Sequence, residues 1–227
     1  MRIRFLIAFL AGLAVAIAGA AKTPGSSHSH HRKGPAATGE RGQYDYYVMA
    51  LSWSPTYCEL HPDEDEQCAH KGYGFVLHGL WPQYENGGGP EHCSTTDEPD
   101  RKTVASALAF MPSRRLVTHE WQTHGACTGL EPKDYFALAD RAFAAVHVPP
   151  ALAAPRAAQR MSSAALRDAF RNANPGLSDA MLTLHCSRGQ LVEVRVCLDR
   201  DLAPRACGKR TQTRCPASTD FEIPASK

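Results

Sequence analysis

The sequence predicts an α+β domain in which an antiparallel central sheet carries helices packed against it and disulfides staple the whole. Three observations predict this. Strand-like runs open and close the folded part, helical runs fill its middle, and eight cysteines are spread from Cys58 to Cys215. Strands and helices segregated along a chain favour α+β over alternating βαβ units. With 227 residues and 43% hydrophobic side chains, the chain suits one domain with a substantial core.

The first segment stands apart from that domain. Arg2 and Arg4 precede an apolar run, Phe5 to Ile17, which ends in Ala18-Gly19-Ala20-Ala21. A positive start, a short apolar stretch and small exit residues describe a secretory signal peptide over 1–21. The run is shorter than the roughly 20 residues a membrane-spanning helix needs. Residues 22–42 are rich in Ser, Gly, His and Lys and read as a flexible leader. Its His28, His30 and His31 are better explained by a linker than by metal binding. The domain is expected over 43–220, with a tail at 221–227.

Within the domain, Tyr44 to Trp53 is aromatic and β-branched, as strands are, and Pro55 ends it. Residues 58–68 read as an acidic loop between two cysteines, and Phe75 to His78 as a second strand. Pro82 and Gly87-Gly88-Gly89-Pro90 then force a loop. Helices are expected over Thr103–Met111, Leu116–His124 and Lys133–Val146, the last started near Pro132. Ser162 or Ser163 caps another that ends before Pro175-Gly176. Residues 181–187 and 190–198 alternate apolar and polar about Arg188-Gly189, which is a hairpin.

An even cysteine count behind an export signal points to four disulfides and a secreted or periplasmic protein. No two cysteines have the C-x-x-C spacing of common structural zinc sites. The net charge of +2 carries little information, but its distribution is uneven. Residues 40–100 hold 12 acidic and 2 basic side chains, and residues 151–227 hold 12 basic and 7 acidic ones. If a polyanion binds, the C-terminal third is the source of long-range attraction. Two solvated faces would give the same counts.

Two segments carry chemistry: Phe75-Val76-Leu77-His78-Gly79-Leu80-Trp81-Pro82, and His119-Glu120-Trp121-Gln122-Thr123-His124-Gly125-Ala126-Cys127. The second is near H-E-x-x-H, but its histidines are five apart, which separates them by about 140° on a helix and prevents a shared zinc grip. His119 and Thr123 share one helical face; Glu120 and His124 share another. A carboxylate beside an imidazole orients it and raises its pKa. Gly125 ends the helix and Cys127 pins that end. Gly79 allows close approach beside His78, and Trp81 offers an indole for base stacking. Alone, each residue is more simply a satisfied polar or core group; together they make a site.

Both segments resemble the two signatures of the ribonuclease T2 family, F-x-x-H-G-L-W-P and H-E-W-x-K-H-G-T-C, in order and at similar separation. The resemblance extends over most of residues 44–200, including Tyr44-Asp45-Tyr46-Tyr47 and Ala50 to Pro55. It implies a metal-independent endoribonuclease that needs no cofactor and acts on single-stranded RNA. The products implied are 2′,3′-cyclic phosphates and then 3′-phosphates. His124 is implied as the base that takes the 2′-hydroxyl proton, and His78 as the acid for the departing 5′-oxygen. His119 would hold the phosphate, and Glu120 would support the charge of the phosphorane. Trp81, Gln83, Tyr84 and Thr123 are the expected substrate contacts. The pairings implied are Cys58–Cys68, Cys93–Cys127, Cys186–Cys215 and Cys197–Cys207.

The chain departs from the signatures at Thr123, where the family has lysine. The missing charge predicts a working but slower enzyme, with a gain on Thr123→Lys unless Arg114 or Arg115 fills the role. Gln83 stands where some members carry an acid, and Ala126 replaces threonine. Partners are expected to be RNA but not DNA, with no membrane once the signal is removed, and the protein a monomer. Competing readings are a catalytically dead RNA-binding relative, supported by Thr123 alone, and an exported zinc hydrolase, which EDTA would silence.

Overall fold

The computed structural model describes residues 38–226. The signal segment 1–21 and most of the leader 22–42 lie outside the described residues. Thr38 to Gly42 do not behave as leader. Thr38 N–H donates to Glu91 O, and Gly42 N–H donates to Cys127 O at 2.8 Å, so the ordered domain begins before Gln43.

The sheet is built on β1 (Tyr46–Trp53), whose residues are almost all buried. It lies between β2 (Phe75–Gln83) and β5 (Gln190–Leu198), antiparallel to both. β4 (Leu182–Ser187) pairs with β5 through the expected hairpin. Arg188 and Gly189 both have positive φ, 51° and 80°, which is what a two-residue turn matching strand twist requires. The sheet is mixed, not wholly antiparallel: β6 (Phe221–Ile223) runs parallel to β5 at Gln190–Glu222 and bonds β3 (Gln159–Met161). The tail expected from 221 is therefore part of the sheet. Phe221 and Ile223 are fully buried, and that burial outweighs the shortness of the strand.

Tyr47, Met49, Leu51 and Trp53 of β1 enter the main core, together with Val117 and Trp121, Tyr135 and Phe136, and Leu166 and Phe170 of three helices. Those helices are α4 (Arg114–Thr123), α5 (Pro132–Ala144) and α6 (Ser163–Ala173). Their starts follow capping chemistry: Ser113 accepts from Leu116 N–H, Pro132 sits in the first turn, and Ser162 accepts from Ala165 N–H. Helix α3 (Arg101–Ala107) starts before Thr103 because Asp100 caps it through Thr103 N–H at 2.7 Å.

Two expectations need correcting. The acidic loop 58–68 is largely helical, as α1 (Ser54–Leu60) and α2 (Asp65–Cys68) tied by Cys58–Cys68. Pro55 starts a helix as well as stopping a strand. Strand β2 also runs through Pro82, because β2 lies at the sheet edge, where a missing N–H costs no ladder bond.

The bridges are Cys58–Cys68, Cys93–Cys127, Cys186–Cys215 and Cys197–Cys207, the pairings that the resemblance implied. Among the described residues no helix is long and apolar enough to cross a membrane.

Candidate active site

A β-bulge sets the position of His78. Ala50 pairs with Gly79 and Leu51 with Leu77, so His78 is an extra residue on β2 with no partner opposite. A bulge re-aims the side chains around it. Leu77 and Leu80 both reach the core, while His78 meets two carboxylates. His78 Nδ1 donates to Glu193 Oε1 at 2.9 Å, and Nε2 lies 3.5 Å from Glu120 Oε1. Burial lowers the imidazole's proton affinity, but the Glu193 bond and the charges of Glu120 and Glu193 outweigh it and raise the pKa. Glu193 is 4% exposed and pairs with Arg195 two residues along β5. Burial raises its pKa, yet His78 and Arg195 prevail and hold it at about 2.

Glu120 is fully buried. Its Oε2 accepts the Trp81 indole N–H at 2.7 Å, and its Oε1 has no hydrogen-bond partner. Burial pushes its pKa up to about 7, against the pull of His78 and Trp81. Gly79 makes room: a Cβ there would overlap Glu120 Oε2 and Trp81 Nε1.

His124 ends α4, with φ −123° and ψ −46°, outside helical geometry. Its ring lies 5.3 Å from Trp81 between centroids. The expected contact with Glu120 is only His124 N–H donating to Glu120 O at 3.0 Å. The Glu120 side chain turns to Trp81 and His78 instead, because the terminal residue leaves the helical face. Glu120 therefore does not raise the pKa of His124. Burial, then His119, His78 and His92, lower it to about 3. The Nδ1 atom is buried without a partner. His119 is exposed one turn earlier, its pKa lowered by burial and by His78.

Thr123 is buried, with its hydroxyl 3.5 Å from His119 Nδ1, the shared face that helical spacing predicts. Gln83 binds its own neighbour, Pro82 O, at 2.9 Å. Among the described residues, the Tyr84 side chain has no hydrogen bond or ring contact with the histidines, and its hydroxyl sits against Gly39. Trp81 is half-buried and engaged by His78, His124 and the Arg195 guanidinium, 4.8 Å from its ring centre. Beside His78 and His119 opens a cleft of about 220 Å³ lined by Tyr57, Val76, Leu116 and Arg115. Arg115 pairs with Glu64 at its rim, and Arg114 N–H donates to Glu66. Among the described residues no three His, Cys, Asp or Glu side chains are placed to hold a metal ion.

Sequence reasoning missed Glu193, Arg195 and His92. The signal for the first two was Val192-Glu193-Val194-Arg195-Val196: charges two apart on a strand share a face. His92 has φ 54°, donates its N–H to Thr123 O, and adjoins the Cys93–Cys127 bridge.

Known proteins share this arrangement's sequence and fold. The family model described as the ribonuclease T2 family matches residues 44–207. A ribonuclease of Aeromonas hydrophila is 48% identical over 103 residues, which is 45% of this chain and 46% of that one. A probable ribonuclease of Haemophilus influenzae is 31% identical over 172 residues, 69% of this chain and 58% of that one. The chain thus spans about half the length of these curated relatives. Among solved structures, an RNase-related protein from Calystegia sepium superposes with a TM-score of 0.63 at 20% identity, covering 82% of this chain and 99% of that one. A single-residue mutant of ribonuclease MC1 in complex with 5′-UMP gives 0.61 at 22% identity, covering 79% and 98%. With the family's model matched across the histidine cluster and most of the domain, the chain belongs to the ribonuclease T2 family.

Proposed function

We propose that the chain is an endoribonuclease that cuts single-stranded RNA by transphosphorylation, with the substrate's own 2′-hydroxyl as nucleophile. One observation carries this reading. Two histidines of one site have surroundings that drive their proton affinities apart: His78 is raised by carboxylates, and His124 is lowered to about 3 by burial and by other histidines. Titratable groups pushed apart in this way are an acid and a base.

His124, neutral in mild acid and above, takes the 2′-hydroxyl proton. His78, protonated, gives one to the departing 5′-oxygen. The 2′-oxygen closes on phosphorus as the P–O5′ bond breaks, leaving a 2′,3′-cyclic phosphate. Water then opens the ring with the two roles exchanged, giving a 3′-phosphate. Trp81 fixes Glu120 Oε2, which leaves Oε1 free beside His78 Nε2 to face the phosphorane. His119 holds the phosphate at the mouth of the cleft, which seats a base against Tyr57 and Leu116.

The reading requires no protein nucleophile and no metal. DNA lacks the 2′-hydroxyl and is left intact. Four disulfides suit an oxidising compartment, secreted or periplasmic. The test is a gel of RNA and DNA incubated with protein in EDTA, with phosphorus NMR of the products. RNA cleavage giving cyclic phosphate is the expected result. Intact RNA, or cleavage abolished by EDTA, overturns the reading.

Glu193→Gln tests the acid. With that bond and charge gone, burial outweighs the Glu120 charge, and the His78 pKa falls below its ordinary 6.5. An acid must be protonated to act, so activity is lost at lower pH as pH rises. The alkaline limb of kcat/KM should therefore move to lower pH, the direction set by the loss of one nearby opposite charge. A limb that stays in place would show that Glu193 does not hold the proton on His78.

A further inference from the structure

We propose that a pocket on the far side of Trp81 from the catalytic cleft binds a second phosphate of the RNA, next to the one being cut. The proposal rests on the ribonuclease reading and extends it. The pocket is a cavity of about 90 Å³, room for roughly three waters, lined by Trp81, Gln83, His185, Arg195, Arg210 and Arg214. Three arginines therefore line one small space, from β5 and from the segment after Cys207.

That segment is built, not loose. Cys207 is bridged to Cys197 of β5, and Cys215 is bridged to Cys186 of β4. Residues 208–214 are strung between these two anchors, with Thr211 Oγ1 bonded to Tyr46 OH at 2.8 Å and Arg214 N–H donating to Leu184 O at 2.7 Å. The Arg210 side chain packs along Gly87, where any Cβ would overlap it. Lys209, Arg210 and Arg214 lie in this stretch with no acid among them.

The cations lack partners. Among the described residues, neither Arg210 nor Arg214, both exposed, makes an ion pair or a side-chain hydrogen bond, whereas Arg195 pairs with Glu193. His185 lines the same pocket from β4, opposite Glu193, and its buried Nε2 has no partner. Burial, then Arg195, keep that ring neutral, with a pKa of about 4. A phosphate satisfies all of these groups: two or three guanidinium forks, an imidazole N–H and the Gln83 amide.

Position names the source of the phosphate. Trp81 lines this pocket and also touches His78 and His124. A strand whose scissile phosphate lies between those histidines therefore brings its neighbouring phosphate past the indole to the arginines. The acidic residues 40–100 and the basic C-terminal third acquire a physical reading: the basic side continues the path of the strand.

The test uses the dinucleoside monophosphate that the wild-type protein cuts fastest, and the same compound carrying an added 5′- or 3′-phosphate. One of the two extended substrates should show a kcat/KM about tenfold or more above the parent, the low end for a charge-assisted contact, mainly through KM. In Arg210→Gln/Arg214→Gln, folded by its melting curve, that preference should collapse. Equal rates on all three compounds in the wild type, or a preference kept by the variant, overturn the subsite while leaving the ribonuclease reading intact. No cleavage of any of them overturns both. Calorimetric binding of inorganic phosphate that the variant loses, without any substrate preference, assigns the pocket to a free anion and also overturns the subsite.

Discussion

His124→Ala is expected to lower kcat for RNA cleavage by about two to four orders of magnitude, the usual contribution of a positioned general base. The fold should survive. The imidazole's Nδ1 is buried without a partner, so removing it relieves a desolvated polar group while opening a small gap. The acid side of the wild-type profile carries the same information. A base must be unprotonated to act, and His124 stays so down to about pH 3. Wild-type kcat/KM should therefore hold on the acid side well below the 6.5 of an ordinary histidine. His78→Ala should lose activity on a similar scale, because it removes the proton donor. Near-normal cleavage by a folded His124→Ala protein in EDTA would remove His124 from the mechanism. An acid limb near pH 6 would show that its burial does not keep it neutral.

The proposed acid and base could be picked out in sequence because each lies in a short segment with its own neighbours. His78 precedes Gly79 and Trp81; Glu120 and His124 occupy one helix end. The hairpin at Arg188-Gly189 was legible for the same reason, since local chemistry dictates a two-residue turn. What escaped depends on contacts distant along the chain. Glu193 meets His78 only because β5 registers on β1, Ser52 opposite Glu193, and because a bulge swings His78 out of the β1–β2 ladder. No local pattern announces either. The alternation of β5 was read only as half of a hairpin, yet its polar positions hold Glu193, the partner of His78, and Arg195. The strand Phe221–Ile223 escaped because three residues carry too little periodicity to be read. The partnership of Glu120 with His124 failed for a local reason: spacing on an ideal helix ignores how the terminal residue unwinds.

Gly79→Ala should abolish most activity through a single methyl group. Gly79 is not among the residues with positive φ, so its backbone would accept alanine. The constraint is space. A Cβ at that position overlaps Glu120 Oε2 and Trp81 Nε1 and lies 2.8 Å from Glu120 Cδ. These are the two partners of the indole–carboxylate bond, and Glu120 has no exposed surface into which to retreat. One of them must move. If Glu120 moves, its Oε1 leaves the neighbourhood of His78 Nε2, and the carboxyl no longer faces the phosphorane. If Trp81 moves, the Glu120 carboxyl loses its bond to the indole and His124 loses the ring it packs against. Either way kcat should fall by about 10²–10³, the scale of one lost preorganised group. Overpacking should add roughly 1–3 kcal/mol of destabilisation in denaturant unfolding. A purely structural role for Gly79 would lower stability and leave kcat of the folded fraction unchanged. A Gly79→Ala protein with wild-type kcat and KM would show that Glu120 need not hold its place for catalysis.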